Sequence, residues 1–260
     1  LDAITGDSWP RSGDFAGRPE GWFSWWKATV IAGVAACAAF LFLPGIWLSL
    51  NSDHRTGTAQ LSEVVLPDGT QVHLAPESAI GLDFDEKGRF VRLLKGDAFF
   101  EVERDESRPF RVFAAGVSVT VLGTAFEVDQ FEGAVSVRVS HGRVKVEDQR
   151  TSQLLSESLG PGEALRVERD GSHARSAVLL DEIAQWRENR LIARDISIGE
   201  VIDALSHYHK GSVFVSESFA ERRVTGLYNL DTPLETLEGI AASHGAEVER
   251  ASPWFIWVKD

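Results

Sequence analysis

The strongest candidate for covalent chemistry is a Gly-Thr peptide bond in the segment V-L-G-T-A-F-E-V, residues 121–128. Attack of the Thr124 hydroxyl on the carbonyl carbon of Gly123 would close a five-membered ring and turn the amide into an ester that water opens. Gly123 leaves that carbonyl unhindered and tolerates a strained backbone. The attack needs a base near the hydroxyl and donors for the oxyanion, and His141 is the candidate base. The pattern predicts self-cleavage between Gly123 and Thr124.

A purely structural interpretation of the same bond stays open. Glycine often marks a bulge or a kink in a strand, and threonine is an ordinary strand former. His141 lies in V-S-H-G-R, where it equally fits a turn that follows a strand. The residues alone therefore leave cleavage and a strand kink as alternatives.

Two clusters contain residue types that bind metals, but neither has suitable spacing. His207 and His209 are two positions apart on a predicted helix, so their side chains point to different sides. They are interpreted as surface residues near a helix end. Asp83, Asp85 and Glu86 lack the spacing of a calcium-binding loop and are interpreted as a solvated hairpin. No metal or cofactor is expected, and no catalytic triad, P-loop or dinucleotide-binding pattern indicates a turnover enzyme.

The composition excludes several classes of protein. The 260 residues carry a net charge of −13, which argues against direct binding to nucleic acid. The one cysteine, Cys37, rules out a disulfide framework and thiolate metal clusters. The chain contains no methionine and starts at Leu1, so we expect that further residues precede it.

An uncharged segment near the start is long enough to cross a membrane. Residues 28–50 contain no charged side chain over 23 positions, and a bilayer core of about 30 Å needs roughly 20 apolar helical residues. Basic residues are more frequent before this segment than just after it, which places the N-terminus in the cytoplasm. They are Arg11, Arg18 and Lys27 before it and Arg55 after it. We therefore expect residues 1–27 to be cytoplasmic, residues 28–50 to form a single transmembrane helix in membrane lipid, and the remainder to lie outside.

In residues 58–178 hydrophobic residues recur at every second position, as in β-strands. Valines alternate with polar residues in V-S-V-T-V, V-S-V-R-V and R-V-K-V-E, and turn signals that contain glycine separate these runs. The pattern predicts an all-β domain of eight or more short strands. It does not distinguish a sandwich from a barrel or a curled solenoid.

The period changes in residues 186–260, where helical segments alternate with short strands. The first predicted helix follows a cap at Asp195 or Ser197, and the second starts at Thr232-Pro233 and stops at Gly245. The predicted order is β-α-β-β-α-β, with two helices packed on one small sheet. The whole chain is thus expected to be mainly β with an α+β C-terminal domain.

A small sheet of this kind exposes an edge strand, and edge strands recruit other chains through main-chain pairing. Two strands are candidates for partner binding, one containing V-F-V and one containing V-T-G-L. The residues concerned are Val213, Phe214, Val215, Val224, Thr225, Gly226 and Leu227.

Five segments share an order and a spacing that point to a known family. They are L-P-D-G-T-Q-V-H-L-A-P-E-S-A-I (66–80), L-L-K-G-D-A-F-F-E-V (93–102), R-P-F-R-V (108–112), V-L-G-T-A-F-E-V (121–128) and G-R-V-K-V (142–146). In both order and spacing they resemble the FecR family. From Trp186 on, the chain resembles the short domain at the N-terminus of secretins and TonB-dependent receptors, with R-V-T-G at 223–226 in the matching place.

The resemblance implies a single-pass inner-membrane anti-sigma factor. Its cytoplasmic region would bind an extracytoplasmic-function sigma factor, and its periplasmic region would contact the signalling domain of a TonB-dependent outer-membrane receptor. Loading of that receptor, typically with an iron–siderophore complex, would control the sigma factor. The resemblance also implies self-cleavage at the Gly-Thr bond, as is thought for many members. The 27 residues before the predicted span are fewer than the helical sigma-binding region that the family usually has.

Two other hypotheses stay open. The chain could be an envelope structural or binding protein that uses the same β domain without a sigma partner. It could also be an autoprotease whose single cut generates the signal, which is compatible with a regulator. A helical region of several dozen residues upstream would favour a sigma-factor partner over a structural role.

Overall fold

The computed structural model describes Val30 and residues 48–86, 88–131, 133–252 and 254–259. Residues 50–260 form one compact unit. In the described ranges, no helix has both the length and the apolar character needed to cross a bilayer. The predicted span at residues 28–50 lies outside these ranges except for Val30 and residues 48–50.

Strands dominate the described part of the chain, so the prediction of a mainly β fold is confirmed. Thirteen strands lie between residues 54 and 177. They are β1 (His54–Arg55), β2 (Ser62–Val65), β3 (Gln71–Leu74), β4 (Ala79–Phe84), β5 (Arg89–Glu101), β6 (Phe110–Ala114), β7 (Val117–Val121), β8 (Ala125–Phe131), β9 (Ala134–His141), β10 (Val144–Asp148), β11 (Gln153–Leu159), β12 (Glu163–Val167) and β13 (His173–Ala177).

The long strand β5 belongs to both halves of the resulting sheet. Its first part pairs with β4 and β6, and its second part pairs with β3 and β8. The partners change at Gly96, whose φ of +84° favours glycine. The strand order is β11-β10-β7-β6-β5-β8-β9-β12-β13, and the pairs β1-β4 and β2-β3 also join through β5.

One apolar core lies between the two halves. Val91 and Val112 come from the first half and Val128 and Val137 from the second, and all four belong to the same buried cluster. Side chains of one strand alternate between faces, so each strand gives every second residue to this core. Among the described strands, β11 and β13 end the order without pairing with each other. The halves therefore pack as two layers and do not close into a barrel.

A buried ion pair ties the turn after β2 to β5. The carboxylate of Asp68 accepts hydrogen bonds from the N–H and the hydroxyl of Thr70, at 3.1 and 2.8 Å. It also pairs with Nη1 of Arg89 at 2.8 Å, and the Arg89 side chain is only 1% exposed. Arg89 donates further hydrogen bonds to the carbonyl oxygens of Glu103 and Arg108, at 2.9 and 2.8 Å. A buried cation needs such a set of acceptors. The segment L-P-D-G-T therefore forms a turn and also supplies Asp68 as the negative partner of Arg89.

The C-terminal part follows two short 3-10 helices, Leu180–Glu182 and Gln185–Glu188. Its strands are β14 (Arg190–Ser197), β15 (Ser212–Val215), β16 (Arg223–Asn229), β17 (Glu247–Ser252) and β18 (Phe255–Lys259). Its helices are α1 (Ile198–Ser206), α2 (Glu217–Ala220) and α3 (Pro233–Ser243).

The helix boundaries follow from local signals in the sequence. Of the two predicted caps for α1, Ser197 is the one used: its hydroxyl accepts from the N–H of Glu200, whose carboxylate accepts from the N–H of Ser197. Asp195 instead forms an ion pair with Arg223 at 2.7 Å. Pro233 begins α3, and Gly245 follows its end with a φ of +75°.

The arrangement of the C-terminal strands differs from the prediction. The observed order is β-α-β-α-β-α-β-β, so the short helix α2 and a second C-terminal strand are added to the predicted β-α-β-β-α-β. The prediction of one small sheet is wrong, because β14 pairs with β16 while β15, β18 and β17 form a separate sheet. Hydrophobic periodicity indicates which face of a strand is buried, but it does not identify the neighbouring strand.

A pair of glycine substitutions tests the role of the bend in β5. A Cβ at position 96 would lie 2.3 Å from Oγ and 2.7 Å from Cα of Ser78, so Gly96→Ala combines a clash with a strained φ. We expect it to lower the free energy of unfolding by about 1–3 kcal/mol. The matched control is Gly239→Ala in α3, where the new methyl group meets no atom within 4 Å. This variant should raise the free energy of unfolding by up to about 1 kcal/mol, because alanine favours a helix over glycine. Urea unfolding measures both, and equal midpoints for the two variants would contradict the assignment.

Candidate functional site

The C-terminal part covers the outer face of the second half of the sheet. In β8, Phe126 and Val128 belong to the inner core, which leaves Glu127 on the opposite face. Phe99 of β5 packs in a second buried cluster with Trp186 and residues of the C-terminal helices and strands. Alternation alone would expose Glu127 to water, whereas the structure buries it beneath another layer.

Glu127 is the centre of the polar contacts between the two layers, and its side chain is fully buried. Arg138, directly opposite on β9, donates from Nη1 to Oε2 at 2.7 Å. From the C-terminal side, Nε1 of Trp186 donates to Oε1 at 2.9 Å, and the N–H of Ala184 donates to Oε2 at 3.2 Å. One carboxylate thus joins strands β8 and β9 to the second 3-10 helix.

The charges around Glu127 shift the pKa of Glu127 and that of its neighbour Asp97. Burial alone would raise the pKa of Glu127, but the charge of Arg138 and hydrogen bonds such as that from Trp186 outweigh burial and lower this pKa. Burial and the nearby charges of Glu127 and Asp129 raise the pKa of Asp97 well above its usual range. The two pKa shifts have opposite directions, so Asp97 keeps its proton to higher pH than usual while the charged form of Glu127 is favoured beside Arg138.

Two further contacts extend this boundary on either side of Glu127. The guanidinium of Arg187 lies 4.3 Å from the ring centre of Phe99 and donates to Oε1 of Glu101 at 2.9 Å. At the other side, the His207 ring packs edge-on against Phe131, with 6.5 Å between ring centres. His207 caps the C-terminal end of α1, as expected for a residue near a helix end, and its side chain is 35% exposed beside this contact.

Gly123 and Thr124 form a bend between β7 and β8. The N–H groups of Asp105 and Val102 donate to the carbonyl oxygens of Leu122 and Thr124, at 2.9 and 3.0 Å, which fixes the bend on both sides. A Cβ at Gly123 would lie 2.8 Å from Cβ of Arg104. Glycine is thus required here by the close approach of another chain segment.

The hydroxyl of Thr124 has a carbonyl oxygen as its partner. It is buried and donates to the oxygen of Arg143 at 3.1 Å. A Cβ on the neighbouring Gly142 would lie 2.9 Å from this hydroxyl and 3.1 Å from the carbonyl oxygen of Gly123. The carbonyl oxygen of Arg143 therefore orients the hydroxyl of Thr124. A carbonyl oxygen is too weak a base to take the proton from this hydroxyl. His141, the predicted base, is exposed at the end of β9.

A cleft of about 500 Å³ opens at this bend and gives solvent a route to the Gly-Thr bond. It is lined by Arg104, Thr120, Val121, Leu122, Gly123, Thr124, Gly142, Arg143, Val144, Lys145, Glu157 and Ser158. Water for the hydrolysis of an ester could enter through it. The bend thus has a positioned hydroxyl and access for water, while its bonds equally satisfy a structural kink.

The predicted partner-binding residues lie in two different sheets. Val213 and Val215 of β15 pack against the second buried cluster, while Phe214 between them is exposed. In β16, Val224 is buried and Leu227 is 62% exposed. Thr225 accepts a hydrogen bond from the N–H of Asp195 at 2.9 Å, and Gly226 pairs with Ala193 of β14. Among the described strands, β15 and β16 each pair on one side only, and they lie in two separate sheets.

Sequence reasoning missed Glu127, Arg138 and Trp186 as a group. The sequence contains only a weak indication of this group. Glu127 occupies a polar position of a strand with alternating hydrophobicity, and Trp186 stands out only as the residue at which the hydrophobic pattern changes. Arg138 faces Glu127 across two adjacent strands, and such cross-strand pairs are visible only once the register is known. The covering layer could not be inferred from either strand alone.

Comparison with known proteins gives a family match and a fold match. Residues 52–145 match the family described as FecR protein, and this range contains the first four of the five segments noted above with most of the fifth. Two crystal structures of a protein from Parabacteroides distasonis ATCC 8503, described as a candidate anti-sigma factor, share the fold with a TM-score of 0.68 and 24% identity. Each similarity covers 80% of this chain and 97% or 98% of the solved chain. Among curated proteins, no sequence matches.

A double-mutant cycle tests the contact between the layers. Glu127→Gln removes the charge that Arg138 requires, so unfolding should become easier by about 3 kcal/mol. Trp186→Phe keeps the ring but removes the Nε1 donor, at a cost of about 1 kcal/mol. Because the two groups share a hydrogen bond, the double variant should lose less than the sum, with a coupling of about 0.5 kcal/mol or more.

The control for this cycle is an exposed Glu–Arg pair. Glu163 and Arg175 form an ion pair whose side chains are 38% and 47% exposed. Glu163→Gln should therefore cost no more than about 1 kcal/mol. Strictly additive losses for Glu127→Gln and Trp186→Phe would refute a direct contact in solution.

Proposed function

We propose that this chain, a member of the FecR family by its residues 52–145, is an inner-membrane anti-sigma factor. It senses a loaded TonB-dependent outer-membrane receptor in the periplasm and controls an extracytoplasmic-function sigma factor. The observation that carries the proposal is the family match, because it covers the motifs that the sequence analysis identified. The fold shared with a candidate anti-sigma factor over 97% of that chain supports the same role.

The membrane topology is part of the proposal. Residues 28–50 would anchor the chain, with residues 1–27 on the cytoplasmic side and residues 51–260 in the periplasm. The uncharged stretch and the excess of basic residues before it support this orientation. The sigma factor would bind on the cytoplasmic side, through residues 1–27 together with any that precede them.

The C-terminal domain would contact the signalling domain of the receptor. Its resemblance to the short domain of secretins and TonB-dependent receptors supports this assignment, as do the open edges of β15 and β16. Through Trp186 and Ala184, the same domain contacts Glu127 on β8. A partner that displaces the C-terminal domain would therefore act directly on the strand that follows the Gly123-Thr124 bond.

The alternative function is an envelope structural or binding protein that uses the same β domain without a sigma partner. Transcript measurement in cells that lack the full-length protein separates the two functions. Under the proposal, loss of the protein changes the transcripts of one sigma-factor regulon and removes their response to the ligand of the receptor. Re-expression of the full chain restores the response. An unchanged regulon together with a more permeable envelope would support the structural alternative.

Self-cleavage at Gly123-Thr124 is proposed as a single-turnover step of the regulator. Oγ1 of Thr124 attacks the carbonyl carbon of Gly123, the C–N bond breaks, and the hydroxyl proton moves to the released amine of Thr124. Water then hydrolyses the ester, giving a carboxylate on Gly123 and restoring the hydroxyl of Thr124. The orientation of the hydroxyl by Arg143 and the open cleft support this step.

Intact mass under denaturing conditions tests the cleavage. The parent chain should give two fragments that meet between Gly123 and Thr124. Thr124→Ala should give one uncut chain because it lacks the nucleophile, whereas Thr124→Ser should still be cut. Thr120→Ala serves as the matched control, since Thr120 lines the same cleft but is not bonded to the scissile carbonyl. A single uncut mass for the parent would assign Gly123-Thr124 to the strand kink alone.

A further inference from the structure

The outer face of the second half of the sheet carries three carboxyl groups around one guanidinium. Asp97 of β5 lies directly opposite Asp129 of β8 in the strand register, and Glu127 lies on the same face of β8, two positions before Asp129. Arg138 of β9 contacts two of the three, with Nη1 at 2.7 Å from Oε2 of Glu127 and Nη2 at 3.6 Å from Oδ2 of Asp129. We call these four residues the carboxyl cluster.

The carboxyl cluster contains more acidic groups than Arg138 can neutralise. Arg138 donates its hydrogen bond to Glu127, so its charge is directed at that carboxylate. Oδ1 of Asp97 is buried, and no group in the described part of the chain donates a hydrogen bond to it. A buried carboxylate without donors is costly, whereas a protonated carboxyl group can itself donate to a neighbouring carboxylate. Asp97 and Glu127 lie within hydrogen-bonding distance of each other, so a proton on Asp97 joins the two.

The elements packed against the carboxyl cluster supply few other charges. Within the described ranges, the further titratable groups that act on the cluster or on its immediate neighbours are Arg166 of β12, His207 and Tyr208 at the end of α1, and Asp231 after β16. The side chain of Asp129 is 28% exposed, so water can solvate part of its charge. Asp97 has only Arg138 as a nearby cation among the described residues, and it shares that cation with Glu127.

We propose that the carboxyl cluster is a pH-sensitive switch that controls how firmly the C-terminal part docks on the β domain. Docking requires a proton on Asp97, because Tyr208 and its neighbours in the second buried cluster remove this carboxyl group from water. Opening returns Asp97 to water and releases the proton. A fall in pH from neutrality therefore stabilises the docked state. The switch depends on no part of the proposed function, since all its groups lie in the described chain.

The two principal carboxyl groups of the switch respond to pH in opposite directions. Burial, together with the charges of Glu127 and Asp129, raises the pKa of Asp97. Its contribution to docking is complete below the ordinary range of aspartate and is lost as the pH rises through the raised pKa. Burial opposes ionisation of Glu127, but Arg138 and the hydrogen bond from Asp97 lower its pKa. Its contribution is present above the ordinary range of glutamate and is lost as the pH falls through the lowered pKa.

Docking is therefore strongest in the ordinary pH range of carboxyl titration and weakens on either side. Burial and the charge of Glu127 also raise the pKa of Asp129, although Arg138 opposes this shift. Asp129 thus adds to the loss of docking at higher pH. Asp97 is the better residue to change, because its Oδ1 is buried and lacks a donor.

Hydrogen exchange of the full-length protein in detergent micelles tests the switch. Asp97→Asn resembles protonated Asp97 in shape and cannot titrate. The reporter is the peptide that contains the N–H of Ala184, which donates to Glu127. Exchange of this peptide in the parent should exceed that in Asp97→Asn by a factor that grows by up to about tenfold per pH unit above the carboxyl range, because opening releases one proton. Comparison of the two proteins at the same pH cancels the intrinsic exchange rates.

Two controls accompany Asp97→Asn. A peptide from β6 and β7 lies in the other half of the sheet, so its exchange should not differ between parent and variant. Asp83→Asn changes an exposed aspartate on β4 and should match the parent at every pH. The melting temperature gives a second measurement: that of the parent should fall relative to that of Asp97→Asn as the pH rises.

His207 offers a competing origin for the same behaviour. Histidine gains charge as the pH falls below neutrality, and Nδ1 of His207 lies 3.6 Å from Oε2 of Glu77. A charged His207 would also stabilise docking in acid. His207→Gln removes this charge, and the proposal predicts that the pH dependence persists in this variant.

The outcomes decide between these origins. The same pH dependence in the parent and in Asp97→Asn would overturn the switch, as would a dependence that only His207→Gln removes. Faster exchange in Asp97→Asn than in the parent at every pH would also overturn it, because Asp97 would then act through its charge. A rise in exchange that includes the β6 and β7 peptide would show unfolding of the whole domain and would likewise contradict a local switch.

Discussion

The structure depends on the neutralisation of one buried carboxylate. Glu127 lies on a sheet face that would be solvated if the β domain stood alone, and the C-terminal domain removes it from water. A buried charge is tolerated only with a complete set of partners. Arg138 supplies the opposite charge, while Trp186 and the Ala184 N–H supply donors from the covering layer. The position of the C-terminal domain is therefore specified by hydrogen-bond directions as well as by apolar contact.

This arrangement links regions of the chain that the sequence separates. β8 begins directly after the Gly123-Thr124 bend, and Glu127 is near the start of this strand. The C-terminal domain thus contacts the strand whose start is the proposed scissile bond. A change at the surface of that domain can reach the bend through three successive contacts: the second 3-10 helix, the Glu127 carboxylate and β8. Energetic coupling of this kind follows contiguous contacts and requires no change of fold.

The elements with strong local signals could be predicted from the sequence. Alternating valines gave the strands, and the signals at Ser197, Pro233 and Gly245 gave the ends of two helices. Two features could not be predicted, because each depends on partners far apart in the chain. The Asp68–Arg89 ion pair joins a turn to a distant strand, and the burial of Glu127 requires a second domain. The bend at Gly123-Thr124 was identified as special, yet its residues fit both an oriented nucleophile and a kink.

The sharing of β5 by both halves of the sheet has a consequence for cooperativity. β5 is an interior strand of both halves, so detaching it from one half also disturbs the other. Neither half of the β domain can therefore unfold before the other. Contacts shared in this way make a domain unfold as one unit. The boundary at which the molecule can open locally is then the contact around Glu127, between the β domain and the C-terminal part. Opening there separates the hydrogen bonds of Glu127 together with the apolar contact of Phe99 and Trp186.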